Sequence, residues 1–434
     1  MIKKIYMFFL PVVLMIFLAL KCTEFCIDKN IIDKNIIEEI DIQSKIGKYE
    51  IVKLSQFSSS IKYLPLILDG EHKINRIVQV DFTPDKILIS DGKECLLLTA
   101  DGSFIRKIGD TGRGPGEYNI ISNISFGSNS TIFIQSANGI FLEFSDEGTL
   151  INISKVPSNY SPDYYLGSWI QVNDSLFFGQ TPITTGKEST KAILFNKNGK
   201  IIKEYKNYIM LDRQIRMFTT DDSEASYYSY NGRIYYKEKL NDTLFYLDDN
   251  FDLLPRMTFR LGKYLMPKKY RENISFGQSL SPKFNYIFIE NVYETQHYLL
   301  LDCEFNRYFP AKRITPKIIH GVEIWQNTLN VLGFYNKQNR TLVFIEPTST
   351  DNPLYTSGLY NDIDAGPRFF PMKQVDDSTM VMWVDSKQLK DHIASEEFKN
   401  AKPLYPEKKE ELKHLANSLK ETDNPVLMIV RLKE

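Results

Sequence analysis

The chain has 434 residues, 43% of them hydrophobic and 13% aromatic, with 53 Lys and Arg against 54 Asp and Glu. That hydrophobic share is ample for a sizeable core, and the balanced charge, with no long basic run, leaves no field to gather nucleic acid. The 28 Phe and 25 Tyr suit strand-rich packing and read as core residues before anything else.

The N-terminus opens with Lys3 and Lys4, continues as an apolar run from Ile5 to Leu20, and reaches Cys22. This is the layout of an export signal. The run is shorter than the roughly 20 residues that span a bilayer, and Pro11 interrupts it, so a retained anchor helix is not expected. Leu18-Ala-Leu-Lys-Cys22 resembles a bacterial lipoprotein signal, with Lys21 standing where a small residue is usual. The resemblance implies removal of residues 1–21, lipidation of Cys22 with Cys26 as the alternative, and a membrane partner through that anchor. Residues 22–47, polar with scattered isoleucines, are expected to be a tether.

From residue 48 onward a hairpin repeats. Asp101-Gly102 sits between the apolar runs Cys95 to Thr99 and Phe104 to Ile108, and Glu147-Gly148, Asn198-Gly199 and Asp249-Asn250 sit between similar pairs of runs. A spacing of roughly fifty residues, with about four short strands in each repeat, marks the blades of a β-propeller. The first blade spans Asn75 to Gly109, the second Ile121 to Val156, the third includes Ser168 to Gly179, and the fourth covers Ala225 to Leu261. A fifth combines Tyr286 to Leu301 with Val331 to Ile345, around an insertion from Cys303 to Gln326. Cys95 and Cys303 fall in apolar strand-like runs and are expected to be separate buried thiols.

The period then changes. Leu412, Leu415, Ala416 and Leu419 fall at helical spacing, Pro406 suits a helix start, and Asn424-Pro425 stops it. An amphipathic helical insertion over about 386–422 is expected, followed by a last strand from Pro425 to Leu432. Pairing that strand with Tyr49 to Leu54 closes a sixth blade and removes the open edge. The fold class is thus all-β, a six-bladed β-propeller closed by strands from both chain ends, over residues 48–434.

Three segments carry a resemblance to a known family: Phe104 to Gly109 with Gly112-Arg-Gly-Pro-Gly-Glu-Tyr118, Asn361 to Pro371, and Leu415 to Val430. Together the chain resembles the six-bladed propeller lipoproteins, TolB-like or NHL-like, of Gram-negative gut anaerobes. The resemblance implies a surface or periplasmic lipoprotein and supplies no catalytic residues.

In such a propeller the crossings between blades, and the connections between second and third strands, share one face. Gly109 to Tyr118, Asp91-Gly92 and Ser357 to Pro371 all fall there, so Arg113, Glu117, Tyr118, Asp362, Asp364 and Arg368 are the candidate ligand-binding residues. The competing structural reading is that the glycines and prolines serve tight crossings, with Glu117 and Tyr118 satisfying backbone groups. Gly112-x-Gly-x-Gly116 is neither a dinucleotide fingerprint nor a phosphate loop, and Asp362-x-Asp364-x-Gly366 lacks the later ligands of a calcium loop, so an Asx turn is expected.

No cofactor or metal is expected, since His72, His297, His320, His392 and His414 are scattered singly and no cysteines of the folded part have zinc spacing. The expected function is binding of a protein, peptide or glycan at the channel face. The alternative is a channel-metal hydrolase or lyase acting on a carbohydrate or lactone, for which Asp81, His297 and Glu290 are nominal candidates.

Overall fold

Asp101-Gly102, Glu147-Gly148 and Asn198-Gly199 form tight turns because each glycine adopts a backbone that side chains resist, with φ of +86°, +81° and +77°. A side-chain acceptor at the head of each turn closes it: Thr99 Oγ1, Ser145 Oγ and Asn196 Oδ1 accept from the backbone N–H four residues on. In blade four Phe251 takes the left-handed position at φ +58°, and Asp248 Oδ1 accepts from Asp252 N at 2.7 Å.

In this computed structural model, residues 37–433 are described apart from 138, 156–167, 184, 213–224, 273–284, 311–316, 320–321, 325–329 and 348–356. Six antiparallel blades follow in order. Blade one comprises Gln79–Phe82, Lys86–Ser90, Cys95–Thr99 and Phe104–Lys107. Blade two comprises Ile121–Phe126, Thr131–Ser136, Ile140–Ser145 and Leu150–Lys155. Blade three comprises Trp169–Asn173, Leu176–Gln180, Thr190–Asn196 and Ile201–Lys206. Blade four comprises Ala225–Tyr230, Arg233–Glu238, Thr243–Leu247 and Leu253–Arg260. Blade five comprises Phe288–Glu294, Tyr298–Glu304, Asn330–Asn336 and Thr341–Ile345, with the short hairpin Lys317–Ile319 and Val322–Ile324 inserted between its middle strands.

Blade six closes the ring, and here the expected pairing is corrected. The C-terminal strand Val426–Leu432 pairs antiparallel with Ser58–Pro65, not with Tyr49 to Leu54. Ser58–Pro65 is long enough to run the length of its partner and turns Ile61 and Tyr63 toward the core, with Leu64 buried on the opposite side, against blade one. Only Tyr49–Glu50 of the earlier segment is a strand, and it lies parallel on the outer edge of blade five. Glu38–Asp41, within the expected tether, likewise adds a parallel strand to the edge of blade four. Ile67 makes a single parallel bridge to Ser103, just before the outer strand of blade one. The N-terminal stretch therefore winds along the rim, covering exposed edges as it goes.

The helical insertion between the middle strands of blade six comprises Ser386–Ala394, Glu396–Asn400 and Pro406–Ser418, with Pro406 in the first turn as expected. Ser395 splits the first helical stretch by accepting from Phe398 N at 3.1 Å, which starts a new helix. Leu389, Phe398, Leu412 and Ala416 bury against Val384, Leu359 and Phe369. No helix among the described residues is long and apolar enough to cross a membrane.

Neighbouring blades are joined at the rim by a repeated contact, in which an outer strand hydrogen-bonds to the hairpin turn of the next blade. Arg106 donates to Glu147 O at 2.6 Å, Ser154 to Lys197 O at 2.8 Å, and Tyr205 to Phe251 O at 2.8 Å. Between blades two and three the seam is aromatic, with Phe177 edge-on to Phe133 at 4.9 Å and to Trp169 at 5.1 Å.

Candidate functional site

The glycine-rich crossing from blade one to blade two folds onto itself. Gly112 N donates to Tyr118 O, and Asp110–Thr111 and Glu117–Tyr118 form a small parallel pair. The Glu117 carboxylate accepts from Gly114 N at 2.7 Å and lies so close under Gly112 that a Cβ there would sit 1.9 Å from Oε2. Tyr118 is wholly buried and donates to Ile108 O at 2.9 Å, while burial pushes its phenol pKa well up. Of these three candidates only Arg113 is exposed.

The second candidate segment is also committed to the chain's own structure. Asp362 accepts from Ser55 N at 3.0 Å and Ser55 Oγ at 2.7 Å, fixing the turn at Leu54–Gln56. Asp364 is 2% exposed and accepts from Tyr63 OH at 3.1 Å, Asn361 Nδ2 at 2.6 Å and Gly366 N at 2.8 Å. Burial raises the Asp364 pKa, partly offset by those bonds. Within the Asp362-x-Asp364-x-Gly366 segment the bond from Gly366 N to Asp364 Oδ1 closes an Asx turn, and just before it Asn361 Oδ1 accepts from Ile363 N and Asp364 N. Arg368 lies over Tyr360 and 3.9 Å from Glu397 of the helical insertion. Among the described residues no hydrogen bond or ion pair joins Asp362, Asp364 or Arg368 to Arg113, Glu117 or Tyr118.

The inner strands enclose a central cavity of about 650 Å³ lined by Asp81, Asn123, Gln171, Ser229, Asn291 and Lys373, one residue from each blade, and it extends to Gly232 and Asp377 on the hairpin-turn face. Most of its polar groups stitch blades together. Asp81 accepts from Phe126 N at 2.8 Å with Lys373 3.6 Å away, Asn123 donates to Trp169 O at 2.8 Å, and Gln374 bonds both N and O of Glu294.

The three nominal catalytic candidates stand apart. Asp81 lines the channel, and His297 sits in a hairpin turn beside a small pocket with Phe57 and Tyr298. Glu290 belongs to a buried ionic group at the seam of blades four and five, where Lys239 Nζ lies 2.5 Å from Glu290 and 3.1 Å from Glu304. Burial, a hydrogen bond to Glu304 and repulsion from it raise the Glu290 pKa to about 8. Nearby Lys237 is buried, its pKa is lowered to about 8 by desolvation, and it donates to Glu238 O at 2.6 Å. Among the described residues no group of three His, Cys, Asp or Glu is placed to hold a metal ion.

A feature that sequence reasoning missed distinguishes the two faces. Of the exposed large apolar residues, Val78, Ile120, Tyr208, Met210, Leu265, Tyr270, Leu404 and Tyr405 lie on blade crossings or in the helical insertion, Leu150, Ile151, Ile153, Ile202 and Leu254 lie on outer strands, and Ile37, Ile51 and Ile67 lie on the N-terminal rim segment; among the described residues none lies on a hairpin turn of the face opposite the crossings. Their signal was hidden because Tyr and Ile in a strand-rich chain read as core.

A closed ring of six four-stranded blades defines the class: a six-bladed β-propeller. The sequence matches the family described as a domain of unknown function, DUF4934, over residues 37–431, and the chain belongs to that family. Among solved structures it is similar to a protein from Bacteroides fragilis described as exported, with a TM-score of 0.65 and 16% identity over 92% of this chain and 100% of that one. It is also similar to a member of the DUF4221 family from Bacteroides vulgatus, with a TM-score of 0.46 and 11% identity over 90% of this chain and 99% of that one. Virginiamycin B lyase from Staphylococcus aureus aligns with a TM-score of 0.37 and 10% identity over 68% of this chain and 76% of that one. At 16% identity the likeness to the Bacteroides fragilis protein shows the fold alone. No curated protein matches the sequence.

Proposed function

We propose that the protein is an exported, lipid-anchored binding module that holds a protein partner against its crossing face. The observation that carries this reading is the group of exposed apolar side chains on the blade crossings and the helical insertion, with Tyr208 80% and Ile120 57% exposed. Aromatic and aliphatic groups gathered on one surface, Tyr above all, have the composition of protein interfaces. A glycan site would call for free planar polar groups in a cleft, and the channel's Asn, Gln and Asp side chains are largely occupied between blades. The export and anchoring part rests on the signal-like N-terminus and on the resemblance to TolB-like or NHL-like propeller lipoproteins; Cys22 and Cys26 lie outside the described residues.

The test is partner recovery from cells after chemical crosslinking. Ile120→Asp with Tyr208→Asp should abolish recovery of the protein bound by the wild type while leaving the melting temperature unchanged. Full recovery by that double variant would sink the reading, and so would equal loss from a charge change on the hairpin-turn face.

A further inference from the structure

The wall of the central channel carries three carboxylates, Asp81, Asp376 and Asp377, against one ammonium, that of Lys373. Lys373 lies 3.6 Å from Asp81 and offsets it. Asp376 and Asp377 are exposed at the inner hairpin turn of blade six, and among the described residues neither makes an ion pair. Asp377 accepts from Asn231 N of blade four at 3.0 Å, across the hairpin-turn mouth, and Asp376 accepts from Ser378 N at 2.7 Å. Neither bond removes the charge, so the channel keeps an excess of negative charge between low-dielectric walls that focus its field. Two enclosed residues of the same wall also hold an unused polar atom. Trp169 is 5% exposed and its Nε1–H has no hydrogen-bond partner; Tyr293 is 6% exposed and its hydroxyl makes no hydrogen bond among the described residues. Enclosed donors of this kind are ordinarily met by whatever enters the cavity.

We infer that the channel is a binding site for a small organic cation that carries an oxygen acceptor, such as an amino alcohol, entering at the hairpin-turn mouth. A volume of about 650 Å³ is that of a small-molecule pocket. The excess charge of Asp376 and Asp377 selects a cation, and an oxygen on the ligand accepts from the unused O–H and N–H of Tyr293 and Trp169. No three acids among the described residues are placed to hold a metal ion, whereas an aromatic wall suits an alkylammonium group. The ring's amides are occupied between blades, as in the bonds of Asn123 to Trp169 O and Gln374 to Glu294 O, so recognition rests on charge and aromatic surface. This mouth lies on the face opposite the blade crossings, and the site is therefore separate from the partner surface.

Isothermal titration of the full chain in a sugar-based detergent tests this, with choline as the probe beside its neutral isostere, in which a carbon replaces the quaternary nitrogen. Choline should bind saturably and about tenfold or more tighter than the isostere. Asp376→Asn combined with Asp377→Asn should weaken choline by about tenfold or more at an unchanged melting temperature. Ser229→Arg should do the same from a different blade, since Ser229 is an exposed residue of the wall and the change sets a cation in the channel. Absence of saturable choline binding, equal binding of the neutral isostere, or full affinity in either variant overturns the assignment.

Discussion

Arg256 on blade four grips Glu294 on blade five with both guanidinium nitrogens, and the carboxylate it holds is wholly buried. Lys337 Nζ and Tyr228 OH each lie 2.9 Å from the same carboxylate. Glu294 thereby ties an inner strand, the outer strand of the preceding blade and a hairpin turn of its own blade at one point. Removing Arg256 takes the two-point partner from a wholly buried carboxylate and leaves only Lys337 and Tyr228 to hold it, so Arg256→Ala should cost about 1–3 kcal/mol in chemical denaturation. A loss within experimental scatter would show that the seam does not depend on the pair.

The same group sets an acid limit. Burial pushes the Glu294 pKa up, but the Arg256 hydrogen bond and the charges of Arg256 and Lys337 outweigh it, and the net shift is downward. A carboxylate whose folded pKa is lowered adds stability above its unfolded pKa of about 4.3 and loses it as pH falls through the folded value. Glu294→Gln should therefore be less stable than wild type at neutral pH, with the gap narrowing below about pH 4. Parallel unfolding curves across that window would contradict this.

Glu290 has the opposite sign. With a folded pKa of about 8 it keeps a proton that the unfolded chain releases near pH 4.3, so wild-type stability falls as pH rises between those values. Lys239, Glu304 and Asp302 surround it. Glu290→Gln removes the titration, and its stability relative to wild type should rise from pH 5 to pH 8. Urea midpoints at the two ends of the window give the answer.

Gly116 adopts φ +82°, and a Cβ on it would sit 2.7 Å from a Leu150 methyl. Gly116→Val combines a left-handed backbone with a collision, and should destabilise the fold by about 1–3 kcal/mol. Loss of partner binding with an unchanged melting temperature would mean that the loop serves recognition and not folding.

Cys22→Ala should move the protein from the membrane to the soluble fraction of cells. Retention in the membrane would count against lipidation at Cys22, and release only by Cys26→Ala would transfer the anchor to that residue.

Much of the ring was legible because its turns announce themselves: a glycine at left-handed φ between apolar runs recurs in blades one to three. The closing strand was misplaced because Tyr49 to Leu54 and Ser58–Pro65 are both plausible strands by composition, and the choice depends on length matching to Val426–Leu432. Side-chain commitment was not legible at all. Asp364 reads as an exposed loop acid in sequence, yet Tyr63, three hundred residues earlier, donates to it beneath the helical insertion. Glu294 and Lys239 are alike in this respect, since their partners come from different blades. The apolar crossing face stayed hidden because it is assembled from single residues on separate connections.

The most direct measurement is photo-crosslinking in living cells, with a photoreactive amino acid placed in turn at Ile120, Tyr208 and Tyr270 on the crossing face and at Asp85, Asn198 and Asp249 on the hairpin turns. The account predicts one discrete adduct, the same protein, from the three crossing-face positions and none from the turns. Adducts from the turns alone, or from neither face, would contradict it.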